Sequence, residues 1–133
     1  MPVPLESRTL TVSIAREADL VYQFVSNPAN LPLWATAFCQ SIRQVGADWV
    51  MQTTGGEMKV RFVPPNAFRV ADHFVSPAPG VEVYVPLRVL PNGSGSEVVF
   101  TLFRPPDMPP EKFREDTGLV EQDLQTLKTV LEK

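Results

Sequence analysis

Asp72 and His73 are adjacent near the middle of the sequence, and His73 is the only histidine. Neighbouring side chains of a strand point to opposite faces, so these two do not form an Asp–His pair. Alternation with Phe68, Val70 and Phe74 predicts that Asp72 faces inward, where burial would raise its pKa toward that of a general base. A register shifted by one residue turns His73 inward instead. Asp72 and His73 are therefore alternative candidates for one catalytic base.

The remaining polar residue types point away from metal and thiol chemistry. One histidine and one cysteine cannot supply the usual nitrogen and sulfur ligands, so neither a metal site nor a cofactor is predicted. Cys39 has no disulfide partner, and a lone cysteine is typically a small buried hydrophobe. A Cys39–His73 nucleophile pair is an alternative that no spacing supports. For Asp72, the alternative to catalysis is a structural carboxylate that accepts backbone or arginine hydrogen bonds.

Alternating apolar and polar side chains predict a series of strands. After the first strand, the strands are joined to one another by turns rich in Gly and Pro, which indicates hairpins and antiparallel pairing. Pro86 falls inside one strand, where it removes a hydrogen-bond donor, and therefore predicts a local irregularity. The seven predicted strands are Arg8–Ile14, Phe38–Val45, Asp48–Thr53, Glu57–Val63, Ala67–Ser76, Val81–Leu90 and Ser96–Arg104.

Helical spacing of apolar residues predicts two short helices after the first strand and a long one at the C-terminus. The first covers Glu17–Val25, and Asn27 caps the second, with Pro28 at its first position. The long helix starts at the prolines near residue 110 and, at 1.5 Å per residue, about 20 residues extend roughly 30 Å. Its apolar stripe is Phe113, Val120, Leu124, Leu127 and Leu131, and its polar side is Glu115, Glu121, Asp123, Gln125 and Lys128.

Size and composition predict one folded domain over residues 1–133, because the chain is 44% hydrophobic and 20% charged. No apolar run approaches the ~18 residues of a membrane span, and the N-terminus lacks a signal-peptide pattern, so a cytoplasmic protein is expected. The net charge is −3, and the basic residues are dispersed, which argues against nucleic acid as a partner. The sequence indicates no oligomeric state.

Two segments carry a family resemblance. Residues 15–34 read AREADLVYQFVSNPANLPLW, and residues 118–132 read GLVEQDLQTLKTVLE. Together with the order of the elements, they resemble the START/RHO alpha C/PITP/Bet v 1/CoxG/CalC (SRPBCC) superfamily, and within it small bacterial members of the polyketide cyclase/dehydrase-like type. The resemblance implies an α+β helix-grip (Bet v 1-like) fold, in which a seven-stranded curved antiparallel sheet wraps the long C-terminal helix. It also implies a pocket for lipids, polyketides, hormones or other apolar molecules.

Such a pocket lies between sheet and helix, and alternation selects the residues that face it. The alternative for each is ordinary core packing, since a domain of this size needs about as much apolar surface. The predicted ligand-binding residues are Trp34, Met58, Phe62, Phe74, Phe100, Leu102, Phe113 and Val120.

Three functions follow as hypotheses. The first is binding or carriage of a small hydrophobic or aromatic ligand, because an apolar cavity is implied while no acid–base set is evident. The second is a cyclase or dehydratase that acts on a polyketide-like carbonyl compound with Asp72 or His73 as its base. The third is a protein-interaction module that uses the outer face of the sheet, which predicts a large exposed apolar patch.

Overall fold

The computed structural model describes residues 1–133, which form eight strands in two antiparallel sheets together with three α-helices. The smaller sheet joins the two ends of the sequence, because the first strand pairs along its whole length with the last, from Ser7 opposite Phe103 to Ile14 opposite Ser96. Its strands, in spatial order, are β1 (Ser7–Ile14), β8 (Gly95–Phe103) and β7 (Leu87–Asn92).

The larger sheet is a meander in which each strand pairs with the next along the chain. Short turns permit this order, since Gly46, Gly56 and Gly80 adopt the positive φ that only glycine takes readily. Its strands are β2 (Cys39–Val45), β3 (Asp48–Thr53), β4 (Gly56–Phe62), β5 (His73–Ala78) and β6 (Val81–Val85).

The predicted count of seven strands in one sheet is wrong, and Pro86 is the reason. The predicted strand Val81–Leu90 breaks at this proline into β6 and β7, which belong to different sheets. Because proline cannot donate to a ladder, the chain leaves one sheet at Val85 and enters the other at Leu87. The expected irregularity at Pro86 is thus confirmed as a change of sheet.

The strand predicted at Ala67–Ser76 begins later in the structure than expected. Residues 67–72 form a connection, in which Val70 makes only an isolated bridge to Arg88, and β5 begins at His73. Arg69 adopts a positive φ of 57°, a left-handed conformation that interrupts the alternation of an extended strand.

The helices also differ in detail from the prediction. Between β1 and β2 lie α1 (Ala18–Val25), one 3-10 turn at Pro28–Asn30 and the four-residue α2 (Leu31–Trp34), in place of two short helices. Pro28 and Pro32 each stand in the first turn of a helical piece, where the missing N–H donor is tolerated. The C-terminal α3 (Pro110–Leu131) has 22 residues and packs against β1 and α2. None of the three helices is long and apolar enough to cross a membrane.

One apolar cluster unites these layers. Leu124, Leu127 and Leu131 of α3 are buried in it, as are residues of both sheets and of α1. The stripe predicted for α3 therefore points into the core at its C-terminal half. Toward the N-terminal half of α3, the helix and the sheets leave space between them, and that space is the candidate site.

Candidate functional site

A cavity of about 260 Å³ lies between the two sheets and α3, with α2 at one side. Eighteen of its 24 lining residues are hydrophobic, so water inside finds few hydrogen-bond partners. The polar side chains among the lining residues are His73, Thr101, Asp116 and Asp123, together with Tyr84, whose hydroxyl donates to Asp72. The walls offer an apolar molecule contact on most sides and polar contact at a few defined points.

Most of the residues predicted to bind a ligand line this cavity. Phe62 stands just outside the lining, where its ring stacks on that of His73 with centroids 4.5 Å apart. Phe74 does not face the cavity at all. The lining residues from the predicted set are Trp34, Met58, Phe100, Leu102, Phe113 and Val120.

The predicted orientation of Phe68 and Phe74, toward the cavity, is wrong. Phe62 pairs with His73 and Arg61 pairs with Phe74, so His73 and Val75 point into the cavity while Phe74 points to the other face. There, Phe74 stacks on Tyr84 with centroids 5.3 Å apart, and the Arg61 guanidinium lies 4.6 Å from its ring centroid. Phe68 is 81% exposed. The predicted facing assumes an extended strand through residues 67–72, but β5 begins only at His73, so the side chains that face the cavity differ by one position from the prediction.

Asp72 is held by hydrogen bonds outside the cavity lining. Its Oδ1 accepts the Leu87 N–H at 2.9 Å, and its Oδ2 accepts the Tyr84 hydroxyl at 2.8 Å and an Arg88 N–H at 3.0 Å. Burial alone would raise the pKa of Asp72, but these hydrogen bonds and the Arg88 charge hold the pKa below its ordinary value. The predicted rise in its pKa is therefore wrong, and the geometry is that of a structural carboxylate joining β6 to β7.

His73 is the polar group that β5 turns into the cavity. It is 6% exposed, and its Nδ1 lies 3.1 Å from the carbonyl oxygen of Ala71, which can only accept, so Nδ1 carries the proton. Burial lowers the pKa of His73 to about 4. The ring is therefore neutral at pH 7, with Nε2 as an unprotonated acceptor, and Phe100 meets it edge-on at 6.3 Å.

Asp123 is a cavity residue that sequence reasoning missed. It is 5% exposed, and its Oδ1 accepts the Ala37 N–H at 2.8 Å. Burial raises the pKa of this carboxyl group to about 6. Helical spacing contained the signal, since Asp123 lies three residues after Val120 and four before Leu127, on the apolar face rather than the polar one.

Trp34 contributes the other unusual polar atom. Its side chain is 2% exposed and lines the cavity, and its indole Nε1–H has no hydrogen-bond partner. A buried donor without a partner costs free energy, about 1–3 kcal/mol, and unsatisfied groups are rare in native structures. The Trp34 ring thus contributes apolar surface to the cavity, while its Nε1–H stays buried and unsatisfied within the protein.

Cys39 takes no part in this arrangement. It is 1% exposed, and its Sγ–H donates to the Ser41 carbonyl oxygen at 3.4 Å. Burial, followed by the nearby Asp123 carboxylate, raises the pKa of the Cys39 thiol to about 11, so the thiol stays protonated and unreactive. No group of three or more His, Cys, Asp or Glu side chains could hold a metal ion.

Comparison with known proteins identifies the type of fold. No protein-family model and no curated protein matches the chain. Among solved structures, the di-domain ARO/CYC BexL from the BE-7585A biosynthetic pathway has a TM-score of 0.78 at 17% identity, over 96% of this chain and 47% of BexL. Ara h 8.0201 has a TM-score of 0.67 at 11% identity, over 95% of this chain and 97% of its own. The fold is Bet v 1-like.

A third similar structure is the Zhui aromatase/cyclase from Streptomyces sp. R1128, with a TM-score of 0.68 at 16% identity, over 94% of this chain and 92% of its own. The mixed α+β architecture with a long C-terminal helix on antiparallel sheets is thereby confirmed. The neighbours are consistent with the superfamily that the sequence resembles. At such low identities the similarity establishes a fold and not an activity, so function has to be argued from the cavity.

Proposed function

We propose that the protein binds a small apolar or aromatic molecule in the cavity between its sheets and α3. The observation that carries the proposal is a cavity of about 260 Å³ in which 18 of the 24 lining residues are hydrophobic. An apolar cavity of about 150 Å³ accepts a benzene ring, so this one suits a molecule of about two fused rings. Burial of the ligand's apolar surface supplies most of the affinity.

One polar atom defines what else the ligand carries. The unprotonated Nε2 of His73 calls for a donor, since His73 lines the cavity and its Nδ1 is already used by the Ala71 carbonyl oxygen. A hydroxyl group on the ligand would supply this donor. Phe62 acts indirectly in this proposal, because it stacks on His73 and fixes its ring. The direct apolar contacts come from Trp34, Met58, Phe100, Leu102, Phe113 and Val120.

A cyclase or dehydratase is the second candidate, and Asp123 is the observation that favours it. Asp72 is engaged in hydrogen bonds, and a histidine with a pKa of about 4 is a weak base. A carboxylate with a pKa of about 6 inside the cavity is better matched to proton transfer at neutral pH. Two of the structural neighbours are described as aromatase/cyclases. Turnover of a carbonyl substrate that Asp123→Asn abolishes would support this function.

Calorimetric titration with naphthalenemethanol tests the binding function. Val120→Trp places a large ring in the cavity wall and should abolish binding, while Leu90→Trp makes the same kind of change at a side chain that is 48% exposed on β7 and should leave it intact. Absence of binding to the native protein would contradict the proposal. A partner protein that binds Val120→Trp as well as the native chain would instead support the interaction module.

A further inference from the structure

The charged groups that line the cavity are unbalanced in sign. Asp116 and Asp123 line it, whereas no lysine or arginine does. Asp116 is already compensated, since its Oδ1 lies 3.0 Å from the Lys112 ammonium. His73 is neutral at pH 7 and adds no positive charge. The cavity therefore has one uncompensated acidic side chain, and it is the more deeply buried of the two.

Asp123 lacks the partners that a buried carboxylate ordinarily has. None of the eight ion pairs in the structure includes it. Its single hydrogen bond is the one from the Ala37 N–H to Oδ1, which leaves Oδ2 without a partner. Buried charges in proteins are generally paired, because an isolated one loses its hydration without compensation. A cation in the cavity would supply the missing partner.

Aromatic rings surround the same space. Trp34, Phe38, Phe100 and Phe113 all line the cavity. The faces of such rings attract ammonium groups, and tryptophan does so most strongly. A carboxylate among aromatic side chains is a favourable environment for an organic cation and an unfavourable one for an anion.

We propose that the cavity selects an apolar amine, whose ammonium group pairs with the Asp123 carboxylate, over neutral and carboxylate ligands of the same shape. The inference rests on the proposed binding function and names the chemical class of its ligand. It excludes fatty acids and other apolar carboxylates as preferred ligands, because their charge would face Asp123 with no cation to balance it.

The selection depends on pH through Asp123 itself. Cys39 on β2 is close enough for the Asp123 charge to raise the pKa of its thiol, which stays neutral. The other titratable side chains that line the cavity are the ion-paired Asp116 on α3, the neutral His73 on β5 and Tyr84 on β6, whose pKa is raised by its hydrogen bond to Asp72. Asp123 loses its charge as the pH falls through about 6. An aliphatic ammonium, with a pKa near that of lysine at about 10, remains charged throughout. Amine affinity should therefore fall in acid, while the affinity for a neutral ligand changes little.

Three probes of one shape test the proposal by calorimetry: naphthalenemethylamine, naphthalenemethanol and naphthoic acid. At about pH 8 the native protein should bind the amine at least about tenfold more tightly than the alcohol, and the acid most weakly. At about pH 5 the preference should shrink to within about twofold. Asp123→Asn should remove the preference at both pH values and still bind the alcohol, which shows that the variant is folded. Glu121→Gln, an exposed change of the same charge on α3, should behave as the native protein does.

Other outcomes of this calorimetry would contradict either the selection of amines or the binding function itself. Alcohol and amine bound equally at about pH 8, or a preference for naphthoic acid, would overturn the selection of amines and leave the binding function standing. An amine preference that survives Asp123→Asn would show that another group recognises the ammonium and would also overturn the proposal. If none of the three probes binds, the binding function fails together with this inference.

Discussion

Asp72, Asp123 and His73 are buried ionisable groups whose environment, rather than residue type, sets their charge. Asp72 is 5% exposed and remains ionised because the Leu87 N–H, Tyr84 and Arg88 donate to it. Asp123 is equally buried but has one donor, and its pKa rises to about 6. His73 is buried among aromatic rings, and its pKa falls to about 4. Only the last two line the cavity.

His73 and Asp123 make opposite contributions to stability over the same pH range. The folded state lowers the pKa of His73 from 6.5 to about 4, so protonation destabilises the fold as the pH falls through that range. It raises the pKa of Asp123 from 3.8 to about 6, so the fold is stabilised by protonation of Asp123 as the pH falls from about 6. The native protein should therefore show a weak pH dependence between about 4 and 6.5.

Removing either group should expose the contribution of the other. Asp123→Asn should lose up to about 3 kcal/mol of unfolding free energy as the pH falls from about 6.5 to 4, and at pH 7 it should be about 1–3 kcal/mol more stable than the native chain. His73→Phe should instead gain stability over the same interval. Urea unfolding at a series of pH values measures both slopes. Parallel pH profiles for the two variants would contradict the assigned pKa shifts.

The sequence predicted many cavity residues individually, and its failures have local causes. Met58, Phe100 and Leu102 lie on strands whose alternation is regular, so their facing could be counted. His73 follows a connection in which Arg69 is left-handed, and the alternation of apolar and polar residues does not show that the strand starts only after it. Asp123 was assigned by its charge to the polar side of the helix, although its spacing puts it on the apolar face.

At the scale of elements, the hairpins and helices could be predicted, but the division into two sheets could not. Hairpin pairing is local, and turn residues such as those between β7 and β8 predict it. The pairing of β1 with β8 joins segments about 90 residues apart, and only packing of the whole chain selects it. Pro86 signalled an irregularity, yet the sequence does not say that the chain changes sheets there.

Gly95 and Gly118 make this element-level account testable in a matched pair. A Cβ on Gly95, at the start of β8, would lie 2.7 Å from the carbonyl oxygen of Ile14 on β1, whereas a Cβ on Gly118 in α3 would meet nothing within 4 Å. Gly95→Ala should therefore destabilise the fold by about 1–3 kcal/mol. Gly118→Ala should stabilise it by about 0.5–1 kcal/mol, because alanine favours the helix. Thermal unfolding measures both, and a Gly95→Ala variant as stable as the native chain would contradict the β1–β8 register.

For the whole molecule, the two sheets and α3 meet closely at one end and separate at the other, and the cavity is the result. The C-terminal half of α3 contributes Leu124, Leu127 and Leu131 to the core, whereas Phe113 and Val120 of its N-terminal half line the cavity. The resemblance of the sequence implied such a space, and the structure gives its size and its polar atoms. The central claim is that this space binds an apolar molecule.

Methyl NMR on methionine tests that claim directly, because the chain has four methionines and three of them, Met51, Met58 and Met108, line the cavity. Met1 is fully exposed and serves as an internal reference. Titration of the methyl-labelled protein with naphthalenemethanol should move the three cavity signals to saturation at one ligand per protein, since an aromatic ring shifts the resonances of groups packed against it, and leave Met1 unchanged. Cavity signals that stay fixed, or that move no more than Met1, would show that the cavity does not bind the probe and would contradict the account.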